Sequence, residues 1–332
     1  MHDKPQSAQT EALGAPPPAC PACGASCSEV RVKRGVDTHH DFLRCPACGL
    51  LRRRAFPTSE EVQALYQEAY YAAATADRFQ PPFEWLERRF RIWRARRLRR
   101  LLPPPPARVL DVGCGRGVFL GGLRNAGYEV HGTQLSRTAA ASIQARYGFE
   151  VFVGDLPDAP WPAAYFDVIT VWHVLEHMPD PARALDCLAG LLRPGGLLIV
   201  EVPNAGGWSA RLFGWRWLHW DREHHLVHFT WPVLRDMLER RGFEVTRRST
   251  VSIEYGPTAI LQSLLNLLPG PENLLFRAVG KTAGARISRR WITLHILALP
   301  VLLPLAALLF AVTVLAGEGD VLNVMCRHRK QP

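Results

Sequence analysis

Val109–Leu120 reads VLDVGCGRGVFL. An apolar run ends in an acid, three glycines alternate with other residues, and apolar residues resume. That order predicts a buried strand, a tight turn and the start of a helix, with a ligand approaching backbone from which side chains are missing. A dinucleotide uses such a turn with the spacing G-x-G-x-x-G, so that its pyrophosphate rests on the helix N-terminus. Here the glycines are Gly113, Gly115 and Gly117, spaced G-x-G-x-G, and Val118 stands where the third dinucleotide glycine would be. Asp111, two residues before the first glycine, would repel a phosphate and suits a ligand that carries a cationic amino group.

S-adenosylmethionine has an ammonium, a sulfonium and no phosphate, and meets those demands. The surrounding sequence agrees. Strand-like and helix-like segments alternate from ARVLDVG through GVFLGGLRNAG, YEVHGTQ, SRTAAASIQARYG, EVFVGD, FDVITVW and DPARALDCLAGLLRPGG to LLIVEVPN. The alternation predicts an α/β fold with a doubly wound, mostly parallel sheet. Asp111–Gly117 resembles motif I of the class I S-adenosylmethionine-dependent methyltransferases. The likeness continues in order over 107–204: VFVGDL at the third strand, FDVITVWHVLEHMPDP at the fourth strand and its loop, LLRPGGLLIVEVPN at the fifth, as in the type 11 and type 23 methyltransferase families. The resemblance implies a Rossmann-like sheet and assigns Asp111, Gly113, Gly115, Gly117, Gln134, Asp155, Leu156 and His173 to the cofactor. One position departs. The second strand of the family ends in Asp or Glu, which accepts from both ribose hydroxyls; here Gln134 stands there, and its amide oxygen accepts one such bond or lies in a solvated loop.

The chain has 332 residues, a net charge of +10, a pI near 9.5 and 48% hydrophobic residues, enough for one large domain and a smaller one. The basic excess suits a polyanion or an anionic membrane only weakly. Met1–Gln9 is polar and carries no apolar leader, which predicts a cytoplasmic protein in which disulfides are rare. Five of the eight cysteines fall within 20–48. Cys20/Cys23 and Cys45/Cys48 form two C-x-x-C knuckles, the four-thiolate set of a structural Zn2+ ribbon. Cys27 is left over, and Cys114, Cys187 and Cys326 read as small buried apolar residues. The expected organisation is a disordered tail over 1–18, the ribbon over 19–56, a helical linker region over 57–106, the methyltransferase domain over 107–255, an apolar membrane-associated helical insertion over 256–318, and a final strand with a basic tail over 319–332.

A hydroxyl acceptor needs a base beside the methyl donor. HVLEH after the fourth strand offers His173 and His177, and WDREHHLVHFT offers His225 with His224 and His228. The preferred order is His177, His225, His173; the bland reading makes each a cap or a satisfied polar neighbour. The imidazoles also raise the idea of a second metal, but their spacing is not diagnostic. Arg88–Arg100 contains eight arginines with Phe90, Trp93 and Leu101 available for an apolar face. It reads as a solvated flank of the domain or a helix on an anionic membrane, with RNA binding as the rival. Five tryptophans, Trp208, Trp215, Trp217, Trp220 and Trp231, crowd after the fifth strand as lid packing, a stacking surface or a membrane anchor.

Ile292–Ala316 is uncharged and long enough to span a bilayer. Basic residues flank it on both sides (Arg286, Arg289 and Arg290; Arg327, Arg329 and Lys330), and DVLNVMCRHR reads as the last strand of the sheet, so both ends belong on one side of a membrane. The expectation is a hairpin broken at Pro300 and Pro304 that dips into the inner leaflet, with a buried helix pair or dimer interface as the alternative. Taken together, the sequence predicts methyl transfer to a small-molecule, glycan or lipid-linked acceptor at the inner membrane surface. The rivals are an RNA base methyltransferase, which the absence of Asn-Pro-Pro-aromatic after the fourth strand disfavours, and a non-catalytic membrane scaffold. The oligomeric state stays open.

Overall fold

The computed structural model describes residues 19–29, 42–54, 56, 81–221, 224–279 and 288–329. The tail expected over 1–18, residues 57–80 of the helical linker region expected over 57–106, Arg286 and Lys330 lie outside them.

A seven-stranded sheet forms the body. Its strands are β4 (Arg108–Val112), β5 (Glu129–Gln134), β6 (Phe152–Val153), β7 (Phe166–Trp172), β8 (Leu192–Pro203), β10 (Phe243–Ser249) and β11 (Val321–His328). Their order across the sheet is β10-β11-β8-β7-β4-β5-β6. All neighbours run parallel except β11, which is antiparallel to both β10 and β8. The central strands are apolar on both faces, as a sheet covered by helices on both sides requires. Val109, Val168 and Ile199 look into one layer with Leu120, Leu123 and Ile143; Leu110, Ile169 and Val200 look into the other with Leu185, Leu188 and Leu234. The helices start where local chemistry satisfies their free N–H groups. Ser136 caps α3 (Arg137–Tyr147) by accepting from the Ala139 N–H at 3.2 Å, and Asp180 caps α4 (Pro181–Leu191) by accepting from Arg183 at 2.9 Å.

The cysteine segment forms β1 (Ser28–Glu29), β2 (Phe42–Arg44) and β3 (Leu51–Arg53), an antiparallel meander. It is not a bead on a string. β3 pairs with β9 (Val227–His228), in register Leu51 with His228 and Arg52 with Val227, so the His-rich segment of the body supplies the fourth strand of the ribbon sheet. Cys20, Cys27, Leu43, Cys45 and Leu50 pack into one core with Leu110, Val200 and Leu234. Sequence reasoning, which treated the ribbon as a separate module, had no local signal for this pairing: two residues of β9 carry it.

Two expectations are corrected. The arginine segment is a helix, α1 (Pro81–Leu98), but its inward face is Ala95 and Leu98, packed with Leu102 against Leu120 and Leu123, while Trp93 and Leu101 are exposed. The apolar tail is not broken at its prolines. α9 (Arg289–Leu315) runs unbroken through Pro300 and Pro304, about 40 Å at 1.5 Å per residue. It packs against α7 (Gly256–Leu265): Phe310 lies over Gly256 at the start of that helix and Trp291 over Gly270 just beyond its end. Leu315 is followed within a few residues by β11. One long helix lies along the body and returns the chain to the sheet.

Candidate active site

The carboxyl ends of β4, β5, β7 and β8 meet at one edge. Gly113, Gly115 and Gly117 all have positive φ (64°, 58° and 70°). The turn is fixed by Gly113 N–H donating to Thr133 Oγ1 at 3.0 Å and Cys114 N–H to the Thr133 carbonyl at 3.1 Å, and it ends on α2 (Val118–Arg124). A Cβ on Gly113 would sit 2.7 Å from Val174 Cγ2, so the position is closed to any other residue. A Cβ on Gly115 would face only the Arg91 guanidinium, at 3.4 Å, so here the backbone lines open space beneath α1.

Asp111 lies under the turn, 4% exposed, with Thr170 Oγ1 donating to Oδ1 at 2.7 Å. Burial raises its carboxyl to about 7, against the pull of Thr170, Arg94 and Arg91. Those arginines come from α1 and are turned inward. Arg94 stacks on Trp172 at 4.4 Å and pairs with Glu254 and, at 3.9 Å, with Glu201. Arg91 pairs with Glu87 at 2.5 Å and lies 4.0 Å from Glu254, while Arg116 reaches Glu87 at 2.6 Å. Part of the arginine run thus roofs the glycine turn. Sequence reasoning missed Arg91, Arg94 and Glu254; the signal was an arginine pair three apart on a helix directly preceding the first strand.

The other residues expected at the cofactor lie at the same ends of the strands. Gln134 is buried, its Nε2 donating to the Gly115 carbonyl at 3.2 Å and its Oε1 accepting from Leu135 N–H at 2.9 Å. Asp155 is exposed just beyond β6, with Leu156 buried beside it. The residues present fit a ligand with an ammonium and a carboxylate: an acid under the glycines, guanidinium groups above them, and a cradle that a Cβ would obstruct.

His173 sits at the end of β7 with φ of 51°, between two buried carboxylates: Nδ1 is 3.3 Å from Glu176 Oε1 and Nε2 is 3.2 Å from Glu201 Oε1. Burial alone would lower His173, but the two carboxylates outweigh it and hold the imidazole up at about 9. It is an imidazolium at neutral pH, and so holds a proton rather than accepts one. His177 is the reverse: burial, with His225 nearby, takes it down to about 4. Its Nδ1–H donates to the His224 carbonyl at 2.8 Å, and His225 Nδ1–H donates to the His219 carbonyl at 2.9 Å. In both rings Nδ1 is thus turned to a carbonyl and Nε2 to the opposite side. The rings are 4.8 Å apart, edge to face, and ligand atoms of Glu176, His177 and His225 all lie within 4.8 Å of one another. His228 stacks on Trp220 at 4.3 Å, and Trp220 in turn lies 4.9 Å from Phe42 of the ribbon. Trp217 is buried and donates to Asp320 at 2.8 Å, so at least these two tryptophans are packing.

Cys20, Cys23, Cys45 and Cys48 converge, with Sγ–Sγ distances of 3.6 Å for Cys20–Cys48 and 3.5 Å for Cys23–Cys45. A tetrahedral Zn2+ with 2.3 Å bonds needs about 3.8 Å between sulfurs. Ala22 N–H and Cys48 N–H point at the Cys20 and Cys45 sulfurs. The set fits a structural zinc; Cys27, buried nearby, is not among its ligands.

Residues 85–248, just under half of the chain, match a family model described as a methyltransferase domain. A ubiquinone biosynthesis O-methyltransferase of Alkalilimnicola ehrlichii is 36% identical over 105 residues, 29% of this chain and 42% of that protein. A probable S-adenosylmethionine-dependent methyltransferase of Mycolicibacterium smegmatis is 31% identical over 153 residues, 45% of this chain and 55% of that protein. The chain thus spans about half the length of these curated relatives, or less. Among solved structures, the [4+2]-cyclase SpnF superposes with a TM-score of 0.52 over 83% of this chain and 97% of its own, at 17% identity, which speaks to the fold alone. The sheet order is that of the Rossmann-like methyltransferase fold, and residues 85–248 are similar in sequence to a methyltransferase domain.

Proposed function

We propose that this chain is an S-adenosylmethionine-dependent methyltransferase that methylates an oxygen of a small-molecule, glycan or lipid-linked acceptor presented at the cytoplasmic face of a membrane. The observation that carries the reading is Asp111 buried beneath a glycine turn of positive φ with Arg91 and Arg94 above it. Asp111 takes the cofactor ammonium and Arg91 its carboxylate; Gln134 and Asp155 reach the ribose and adenine ends.

The cofactor supplies the methyl group and the leaving group. The chain supplies proximity, an in-line approach and activation of the acceptor hydroxyl. His173, held as a cation between Glu176 and Glu201, fixes the end of β7 and the charge balance of the edge. His177, held neutral by burial, and His225 turn their Nε2 atoms toward it. That arrangement, and the O-methyltransferase names of the relatives, support transfer to oxygen.

The membrane part of the reading rests on α9. Its most apolar window has a mean hydropathy of 2.5 and is only 11% buried, and Leu297, Val301, Leu308, Val312 and Leu315 stand exposed. Arg289 and Arg290 at its start suit anionic headgroups. Because α9 packs along α7 near both ends and β11 follows it straight into the sheet, the helix lies flat in one leaflet rather than crossing. A groove of about 410 Å³ between α5 (Trp208–Phe213) and α9, lined by Trp208, Leu212, Phe213, Leu309 and Val312, opens beside it and suits an acyl or prenyl chain. The RNA reading loses support, because Arg91 and Arg94 turn inward over the crevice instead of outward to a polyanion.

The test incubates membranes from a strain lacking this chain with the purified protein and S-adenosylmethionine labelled at the methyl. Label in an organic-extractable lipid or glycan fraction supports the proposal. Label in RNA, or transfer absent from every fraction while cofactor binds, overturns it.

A further inference from the structure

Glu176 is a buried acid beside His173. It is 1% exposed, and neither carboxylate oxygen has a hydrogen-bond partner among the described residues. Its neighbour His173, 3.3 Å away, is shared with a second carboxylate, Glu201, which also accepts from Asn323 at 2.7 Å. The His173 imidazolium meets Oε1 of Glu176 but serves Glu201 as well, and a buried carboxylate gains from a further cation that reaches it.

Two imidazoles face the same point. His177 comes from the loop after β7 and His225 from the segment before β9. Each spends its Nδ1–H on a backbone carbonyl, His224 and His219 respectively, at 2.8 and 2.9 Å. A backbone carbonyl on one ring nitrogen fixes the tautomer and turns the other nitrogen's lone pair toward a metal, the arrangement that holds most metal-ligating histidines. The carbonyls belong to one segment, and that segment is itself clamped: Leu226 N–H donates to the Glu176 carbonyl at 2.8 Å and Arg53 N–H of the ribbon to the Leu226 carbonyl at 2.8 Å. The two histidine rings are thus pre-set by backbone, and the main chain of Glu176 is tied to the same segment.

We infer that Glu176, His177 and His225 form a binding site for a divalent first-row transition ion, distinct from the four-cysteine site and placed at the acceptor edge of the crevice. Two neutral nitrogens and one carboxylate are a set that Zn2+, Fe2+ or Co2+ takes, with positions left open for an exogenous oxygen. The ion carries one positive charge in excess of its ligands. An acceptor hydroxyl bound to it loses its proton more readily, so the imidazoles activate the acceptor by holding the ion instead of taking the proton themselves. The hydroxyl proton leaves to solvent, and the oxygen then takes the methyl group as the sulfonium–carbon bond breaks. The activation step rests on the methyl-transfer reading; the site itself does not.

The test is stoichiometry. The full chain is loaded with excess Zn2+, freed of loose metal by gel filtration and analysed by elemental emission, with S-adenosylmethionine affinity measured in parallel to report an intact fold. Two zinc ions per chain are expected, falling to one in Cys45→Ser and to one in the double variant His177→Ala/His225→Ala. Should the double variant not fold, Glu176→Gln, almost isosteric, is expected to lower retention of the second ion at least tenfold. One zinc per chain in the parent, lost in Cys45→Ser and unaffected by the Glu176 or histidine changes, overturns the inference. Two ions without methyl transfer would leave the site standing and remove the proposed reaction.

Discussion

The ionisation of Asp111 offers a quantitative handle on cofactor binding. Its carboxyl is raised to about 7 by burial, so in the free protein at neutral pH it is only partly charged. An ammonium ligand requires the charged form. The apparent dissociation constant then scales as 1 + 10^(pKa − pH), a factor of about 11 at pH 6 and about 1.1 at pH 8, so affinity should rise about tenfold, about 1.4 kcal/mol, between them. His173 titrates at about 9 and His177 at about 4, and neither bends the curve inside that window. The sign for stability runs the other way. Because the folded pKa lies above the unfolded value, the contribution of Asp111 to the unliganded fold is present below the unfolded carboxyl pKa and is lost as pH rises to about 7. The assay is calorimetric titration of S-adenosylmethionine at half-unit steps from pH 5.5 to 8.5, with proton release read from buffers of different ionisation heat. Asp111→Asn should flatten the profile and weaken binding at pH 8 by about 2 kcal/mol or more, the cost of removing one partner of a buried charge pair. A flat profile in the parent, or an unchanged slope in Asp111→Asn, would refute the role given to this acid.

Three further outcomes are expected. Gly113→Ala places a methyl 2.7 Å from Val174 Cγ2 at a φ of 64°; cofactor affinity should fall at least about tenfold, and the melting temperature by about 2–4 °C for each kcal/mol lost, both measurable on one preparation. Chelating a metal held by the four cysteines, or Cys45→Ser, should loosen β9, because Val227 and His228 pair with β3; hydrogen exchange at those amides should accelerate while β4 and β7 stay protected, and unchanged exchange would mean that β9 does not depend on the cysteine cluster. Replacing Leu297, Val301 and Leu308, which are 72%, 69% and 60% exposed, by Gln should abolish cosedimentation with anionic vesicles, a loss of about 4 kcal/mol or more at about 1.5 kcal/mol per apolar side chain; binding that survives the triple change would rule α9 out as the lipid-facing element.

The parts of the fold legible in the sequence are those written in local pattern. Val109–Leu120 announces strand, turn and helix because apolar runs and glycines at fixed spacing leave few alternatives, and the alternation to Asn204 follows from it. The return of the chain as β11 was also legible, from a short strand pattern after the apolar run. The length of α9 was not: two prolines four apart, which usually interrupt a helix, are carried here within one continuous helix. The arginine run was misread for a related reason. Charge runs usually face water, but Arg91 and Arg94 have carboxylate partners in Glu87, Glu201 and Glu254, and two of these are more than a hundred residues away in sequence. The same distance hides the union of ribbon and body at β9, and with it the reason that His225 lies beside His177. Which histidines are candidates was readable from HVLEH and WDREHHLVHFT; their protonation was not, since it depends on which buried carboxylate each one meets.

The central claim is that the crevice over Gly113–Gly117 holds S-adenosylmethionine. Its most direct test is the structure of the chain grown with saturating S-adenosylmethionine. The cofactor should lie across the glycine turn with its ammonium on the Asp111 side, its carboxylate toward Arg91 and its methyl facing His173 and His177. A crevice left empty at saturation, or one that takes a dinucleotide in competition, would contradict the account.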